Sequence, residues 1–252
     1  MPADEIEVVC HMIASLDGKC DGEAFKSKNF DYFLKSYYDV DAKHFADTPV
    51  TFSGRKCLYD VIELEEKLED VPEGTISRDE DFIKPFEDTL TPGRHWHCVV
   101  DPRGKMTYKT NVVDSKVFPF YNGDRVVEIV TKKGVSDAFL SHLRKIGVPY
   151  IFAGEEELSC SLAVRKACEY LGVKKVILHG GPTLNYSFLK ENLITTPSLI
   201  QIPTISSHSG DLPLFNPMNG EQVPRVDLTL IASESLEHGG AWLRYSIDAN
   251  SH

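Results

Sequence analysis

The chain has 252 residues, of which 42% are hydrophobic, and its formal net charge at pH 7 is -11. This charge argues against the basic surface that nucleic-acid binding needs, and against docking on anionic lipid. No apolar run approaches the length of a membrane span, and the N-terminus carries no pattern typical of a signal peptide. Six cysteines are scattered without a CxxC pair, so we expect reduced thiols in a cytoplasmic protein.

The first third of the chain predicts two strands around a helix. Ile6 to Ala14 is a continuous apolar run that indicates a buried strand, and Thr48 to Phe52 indicates a second. Between them, aromatic residues at helical spacing predict a helix over Asn29 to Phe45. Asp17-Gly18 follows the first strand and is typical of a tight turn. Asp17 therefore has two interpretations: it shapes this turn, or it belongs to a functional site.

Two cations follow the second predicted strand. Gly54, Arg55 and Lys56 precede a predicted helix over Cys57 to Leu68. Cations at the start of a helix oppose its dipole, and a bound anion would resolve the conflict. The alternative is a pair of solvated surface cations. The acidic stretch from Glu63 to Asp88 indicates the end of this helix and then a long solvated loop.

A histidine pair lies on the next predicted strand. His95 and His97 alternate so that both face one side, and Cys98 follows. Two imidazoles and a thiol could bind zinc, but no third ligand is apparent at a suitable spacing. We therefore favour packing or solvent exposure of these side chains and predict no metal site. Asp101 to Gly104 predicts a turn, in which Arg103 either meets a phosphate or is exposed.

Strand and helix patterns alternate between residues 125 and 193. This order predicts an α/β fold with a mostly parallel sheet and crossover helices. A further strand and an antiparallel hairpin at the sheet edge are expected after it. The predicted strands are Arg125–Val130, Pro149–Ala153, Val176–Leu178, Ser198–Thr204, Val226–Glu234 and Ala241–Ile247; the predicted helices begin at Ser136, at Ser159 or Ser161, and at Pro182.

The most informative stretch is the junction at Gly180-Gly181-Pro182. Glycine lets a ligand approach the backbone, and proline suits the first helical position, where its missing N–H has no cost. The next amides, of Thr183, Leu184 and Asn185, are expected to lack intrahelical partners and to favour a phosphate. A tight turn without a ligand is the alternative. No GxGxxG motif or P-loop is present, so a dinucleotide would not be held in the Rossmann manner.

Three segments together resemble the dihydrofolate-reductase-like superfamily, most closely its riboflavin-biosynthesis reductase branch (the RibD C-terminal type). Ala14 to Lys19 is similar to the branch's ASLDGK signature. Phe52 to Lys56 is similar to the GRKT-type junction of dihydrofolate reductases. Val176 to Leu189 resembles the segment that holds the cofactor pyrophosphate. Their order and spacing agree with the family over most of the chain.

The resemblance implies a single three-layer domain over residues 1–252, NADPH as cofactor, a small-molecule substrate and a homodimer. It implies that Asp17 is catalytic and that Asp17 and His179 contact the substrate. The implied cofactor-binding residues are Ala14, Gly54, Arg55, Lys56, Asp101, Arg103, Gly180, Gly181, Pro182, Thr183 and Leu184.

Two departures from the family leave the substrate open. His179 occupies the position where the riboflavin enzymes commonly carry a glutamate, and Glu23 to Phe30 lacks their tryptophan. The substrate is accordingly a ribosylamino-pyrimidine, as for 5-amino-6-(5-phosphoribosylamino)uracil reductase, or a pterin such as dihydrofolate. A nucleotide-binding homologue without catalysis, or a zinc-binding protein, are the alternatives outside this class.

Overall fold

A computed structural model describes residues 6–59, 61–65, 67–87, 90, 92–116, 118–218, 220–222 and 225–247. The described residues form two compact units, one comprising residue 6 and the described part of 48–176, and the other 7–47 and the described part of 177–247. That residues 1–252 act as a single domain stays a prediction. In chain order the elements are β1 (Glu7–Ser15), α1 (Phe30–His44), β2 (Val50–Gly54), β3 (Trp96–Val100), β4 (Arg125–Val130), α2 (Asp137–Ile146), β5 (Tyr150–Phe152), α3 (Cys160–Leu171), β6 (Lys175–Leu178), α4 (Pro182–Lys190), β7 (Thr196–Ile202), β8 (Leu228–Ser235) and β9 (Ala241–Ile247).

The first unit contains four parallel strands in the order β5-β4-β3-β2. They are almost wholly buried, which explains their continuous apolar sequences. The helices α2 and α3 were expected, and their ends follow the sequence signals. Ser136 and Ser159 accept hydrogen bonds from first-turn amides, and Gly147 and Gly172 end the helices in the left-handed conformation.

The predicted helix over Cys57 to Leu68 is wrong. Only Arg55–Leu58 forms a short 3₁₀ turn. After a further turn, residues 63–65 pair with a distant segment, because the Glu65 amide donates to the Thr107 carbonyl at 2.6 Å and the Lys109 amide donates to the Glu63 carbonyl at 3.0 Å. These pairings let Leu64 pack on the core of the unit, a tertiary contact that outweighs helix propensity.

The acidic loop after this segment is anchored rather than merely solvated. Arg78 pairs with the fully buried Asp137 at 2.5 Å, and Asp81 accepts from Lys166 Nζ at 2.8 Å. Phe82 and Tyr150 exchange two backbone hydrogen bonds of 3.0 Å, so the loop pairs with the outer edge of β5. The loop therefore covers a strand edge of the first unit.

The second unit contains the strands in the order β6-β1-β7-β9-β8. β1 and β7 are parallel, whereas β7, β9 and β8 are antiparallel, so the C-terminal hairpin at the sheet edge is confirmed. α1 packs its aromatic residues into the core of this unit, as its spacing predicted. The fold class, an α/β protein with mixed strand directions and helices, is confirmed. None of the helices in the described residues combines the length and apolar character that crossing a membrane requires.

A buried polar network fixes the register of this second core. Trp242 Nε1 donates to Ser198 Oγ at 2.9 Å, and Ser198 Oγ lies 2.9 Å from His11 Nδ1. Because the indole can only donate, the serine hydroxyl is free to donate to His11 Nδ1, and His11 Nε2 then donates to the Tyr37 carbonyl at 3.1 Å. His11 is therefore a neutral imidazole, and burial lowers its pKa to about 4.

Candidate functional site

The predicted site residues fall into two groups, one in each unit. In the first unit, β2 and β3 are parallel, and Gly54 at the end of β2 pairs with Val100 at the end of β3. Arg55 and Lys56 therefore follow one strand at the same sheet edge where Asp101 follows the other. Ligands of open α/β sheets bind at this carboxyl edge, so the first unit brings these residues together at a suitable place.

The cations at this edge differ from Asp101 in their surroundings. Lys56 and Arg103 are exposed, and neither has a carboxylate partner in the described part of the chain. Asp101 is buried, and its Oδ2 accepts the amides of Lys105 and Met106. Asp101 thus holds the following loop, in which the predicted turn forms, because the Gly104 amide donates to its carbonyl at 3.0 Å. The two cations are available to an anion, while the carboxylate is committed to the backbone.

The glycine junction of the second unit has the predicted form except at Asn185, whose amide donates to the Gly181 carbonyl at 2.9 Å and is therefore not free for a ligand. α4 begins at Pro182 with Gly181 as its N-cap, and no side chain caps its first turn. Gly181 and Thr183 are half-buried, so the start of the helix is accessible, while Leu184 is buried. The peptide bond between Gly180 and Gly181 is cis. An accessible helix start without a side-chain acceptor fits a phosphate group.

The two glycines differ in whether the structure around them requires glycine. Gly180 has φ +85°, and a Cβ there would lie 2.8 Å from Met12 Sδ, so packing against β1 requires glycine. Gly181 has φ -70°, which any residue adopts without strain. The backbone conformation of Gly181 therefore does not itself require glycine.

His179 lies beside this junction, directed into the protein. Its side chain is 4% exposed, and its Nε2 lies 3.4 Å from Oδ2 of Asp41 on α1. The rings of Tyr37 and His11 lie 5.7 and 6.4 Å from its ring, measured between centroids. The sequence analysis did not single out Asp41, although its position four residues after the buried Tyr37 indicated a carboxylate on the inner face of α1.

Asp17 is exposed, and its carboxylate accepts several hydrogen bonds. Ser15 Oγ donates at 2.6 Å, and the amides of Ser206 and Ser207 donate at 3.1 and 3.0 Å. These bonds, with that from Ser15 first, lower the Asp17 pKa to about 2. The predicted turn is present, with the Gly18 amide donating to the Ser15 carbonyl at 2.9 Å. Asp17 is therefore an anion that connects this turn to the loop after β7.

A second carboxylate, Asp211, fixes the same loop and was not predicted. Its Oδ2 accepts the amides of Glu23 and Ala24 at 3.1 and 3.3 Å, as well as the Ser206 hydroxyl. The hydrogen bond from Ser206 is the main cause that lowers the pKa of Asp211. About 190 residues separate Asp211 from its amide donors, and no local pattern in the sequence indicates such a contact.

The histidines of β3 make separate contacts. His97 is buried with Nε2 2.8 Å from Ser53 Oγ, and His95 Nδ1 lies 3.4 Å from Asp124 Oδ2. Cys98 is buried. No group of three or more histidine, cysteine or acidic side chains arranged for a metal ion occurs within the described ranges.

Comparisons with known proteins bear on the fold. No family model and no curated protein matches the chain. Among solved structures, a pyrimidine reductase-like protein from Corynebacterium diphtheriae has a TM-score of 0.65 at 16% identity, covering 98% of this chain and 95% of that one. RibD from Acinetobacter baumannii has a TM-score of 0.63 at 16% identity, and Saccharomyces cerevisiae riboflavin biosynthesis reductase Rib7 one of 0.56 at 10%. Both alignments cover 97% of this chain. They cover 58% of the RibD chain and 91% of the Rib7 chain.

The chain has the fold of the riboflavin-biosynthesis reductases. It spans 58% of the length of the Acinetobacter protein and nearly all of the Corynebacterium protein. At these identities the likeness concerns the fold, so the chemistry has to be argued from the residues themselves.

Proposed function

We propose that the chain is an NADPH-dependent reductase that transfers hydride to a small heterocyclic or ribosylamino-pyrimidine substrate, as in riboflavin biosynthesis. The observation that carries the proposal is the start of α4, where Gly181 is the half-buried N-cap and no side chain caps the first turn. In this proposal Gly180 to Leu184 bind the pyrophosphate, and Ala14 belongs to the same cofactor-binding set. Bound NADPH would supply the hydride, and the protein would supply position and electrostatics.

The cations of the first unit are the reason that we propose NADPH rather than NADH as the cofactor. Arg55, Lys56 and Arg103 belong to the carboxyl edge of β2 and β3, and we assign them to the additional phosphate of NADPH. Arginine holds phosphate oxygens through two parallel hydrogen bonds, and lysine adds a compact charge. Asp101 supports this group by holding the loop that carries Arg103.

Asp17 acts in this proposal by orienting the substrate or a water molecule. A general acid works best when its pKa lies near the working pH, and the Asp17 pKa of about 2 lies far below it. The carboxylate would thus stay charged during turnover. We place the proton donor among water molecules rather than on Asp17.

We also propose a homodimer formed through β8. This strand pairs only with β9 in the described sheet, and its side chains Leu228, Leu230 and Ile231 are 45%, 51% and 56% exposed. An apolar groove of about 270 Å³ lies in the same unit and includes Met12, Leu228 and Tyr245. An exposed apolar edge strand is a surface that proteins usually cover. Leu230→Lys is expected to convert the dimer to a monomer in light scattering.

A direct experiment tests the proposed function. Purified protein is titrated with NADPH by fluorescence, and NADPH oxidation is followed over ribosylamino-pyrimidine and pterin substrates. Binding with oxidation supports a reductase, and the substrate that reacts distinguishes the riboflavin type from the dihydrofolate type. Binding without oxidation over the whole panel favours the nucleotide-binding homologue. Absence of NADPH binding contradicts the proposal.

A further inference from the structure

We propose that His179 and Asp41 form a positioning pair that fixes the start of the glycine junction, and that His179 does not contact the substrate. This inference rests on the proposed function, because the junction matters as the binding site of the cofactor pyrophosphate. The family resemblance implies that His179, the residue before the glycines, contacts the substrate. In this proposal His179 instead positions the backbone of the junction.

The surroundings of His179 exclude direct contact with a substrate in this conformation. Its side chain is 4% exposed and that of Asp41 is 12% exposed, with 3.4 Å between Nε2 and Oδ2. A substrate contact needs an accessible ring nitrogen, whereas this ring faces α1. The other titratable groups around it are Tyr37 and His11, whose rings belong to the same core.

The chemistry of the cluster makes His179 the partner of Asp41. His11 also lies near Asp41, but its Nδ1 and Nε2 are engaged by Ser198 and by the Tyr37 carbonyl. His179 Nε2, at 3.4 Å from Asp41 Oδ2, is the imidazole nitrogen that faces this carboxylate. A buried carboxylate without such a partner would be costly.

The pair anchors His179, whereas the two glycines after it have no side chains that could fix the backbone. His179 directly precedes Gly180, which rests against Met12 of β1. Two consecutive glycines have large backbone freedom in the absence of neighbouring restraints. Anchoring His179 to α1 and Gly180 to β1 fixes the direction in which the chain enters α4. A site arranged before its ligand arrives binds more tightly, because less freedom is lost on binding.

The test uses His179→Gln, Asp41→Asn and the double variant in the full chain, with His44→Gln as a matched control. His44 is also a histidine of the second unit, and its ring packs on Trp242 at 4.5 Å. Two readouts are taken for each protein. Hydrogen–deuterium exchange of the peptide covering residues 177–186 reports on the junction without ligand, and fluorescence titration reports the NADPH dissociation constant.

We expect both single variants to speed exchange in this peptide and to weaken NADPH binding roughly two- to fivefold, because a polar contact of 3.4 Å is longer and weaker than an ordinary hydrogen bond. The double variant should weaken NADPH binding no more than the more strongly affected single variant does, because the two side chains act as one unit. The KM of any substrate found should be unchanged in His179→Gln. The control should behave as the wild type.

The outcomes separate the two proposals. If the wild type does not bind NADPH, the proposed function fails, while exchange still tests the positioning pair. Unchanged exchange in both single variants overturns the pair, whatever the cofactor does. A raised substrate KM with normal NADPH affinity in His179→Gln also overturns it, because that result identifies His179 as a substrate contact.

Discussion

The carboxylate of Asp17 accepts the backbone amide of Ser207 at 3.0 Å, across 190 residues of sequence. The same carboxylate accepts the neighbouring Ser206 amide. The turn after β1 and the loop after β7 are therefore joined by one side chain. Its charge matters for this link, because only a carboxylate offers two acceptor oxygens and no donor.

We predict that Asp17→Asn lowers turnover at least about tenfold, a cautious value for a lost positioning group, because a small misplacement of the substrate can reduce the rate about a hundredfold. The NADPH affinity should stay near that of the wild type, and the melting temperature should fall only slightly, because asparagine also suits the turn and keeps one of the two amide hydrogen bonds at this exposed position. Between pH 5 and 8 the pH profiles of variant and wild type should have the same shape, because the Asp17 pKa of about 2 lies below this range.

Single-turnover hydride transfer, measured with the melting temperature on one preparation, checks this prediction. Ser207→Ala is the matched control, since it keeps the backbone amide that donates to Asp17. An unchanged transfer rate in Asp17→Asn would remove Asp17 from the site and leave it a turn residue.

The two glycines of the junction should respond differently to substitution. Gly181→Val is expected to abolish NADPH binding while the protein stays folded, because φ -70° suits valine but the side chain fills the space at the start of α4. Gly180→Ala is expected to lower the free energy of unfolding by about 1–3 kcal/mol, because its Cβ would collide with Met12 Sδ. Urea denaturation and NADPH titration of both variants check this. Normal NADPH binding by Gly181→Val would show that the junction is structural only.

We predict that NADPH binds more tightly than NADH, and that Arg55→Ala and Arg103→Ala each reduce the difference. A phosphate that meets these cations gains on the order of 1–3 kcal/mol through charge-assisted hydrogen bonds. Titrations of both cofactors measure the ratio of dissociation constants. Lys145→Ala is the control, because this lysine of the same unit is paired with Glu69. Equal affinities in the wild type, or a preference for NADH, contradict the assignment.

Protonation of His11 should destabilise the protein in acid. Burial lowers its pKa from 6.5 to about 4, so between these values the unfolded state binds more protons than the folded state. The free energy of unfolding therefore falls as the pH falls through this range, by about 3 kcal/mol in total from this residue. Above pH 6.5 the contribution is fully present.

Urea denaturation between pH 7 and 4 measures this effect in the wild type and in His11→Gln. The variant should show a shallower dependence, by up to about 1.4 kcal/mol per pH unit, because one titrating group is removed. His238→Asn, at an exposed position of the same unit, should keep the wild-type slope. Equal slopes in all three proteins would assign the acid sensitivity to other groups.

Local signals in the sequence predicted most elements. Ser136 and Gly147 mark the two ends of α2, and Pro182 marks the start of α4. These features depend on neighbouring residues, which is why the sequence was sufficient. The helix predicted after Arg55 failed because Leu64 reaches the core through pairing with a segment more than 40 residues away. Asp211 was missed for the same reason, since its donors lie on a distant loop.

The exchange of hydrogen bonds between Phe82 and Tyr150 has a consequence for solubility. β5 is short and apolar, and its free edge would offer unpaired amides and carbonyls to another chain, as in aggregation through strand addition. The acidic loop satisfies this edge through the backbone of Phe82 and through Asp81, whose carboxylate accepts the Phe152 amide at 2.8 Å. The surrounding carboxylates would repel a second copy of the same negatively charged protein. The acidic loop thus opposes self-association through β5. Shortening the loop should lower the solubility of the protein while the protein still folds.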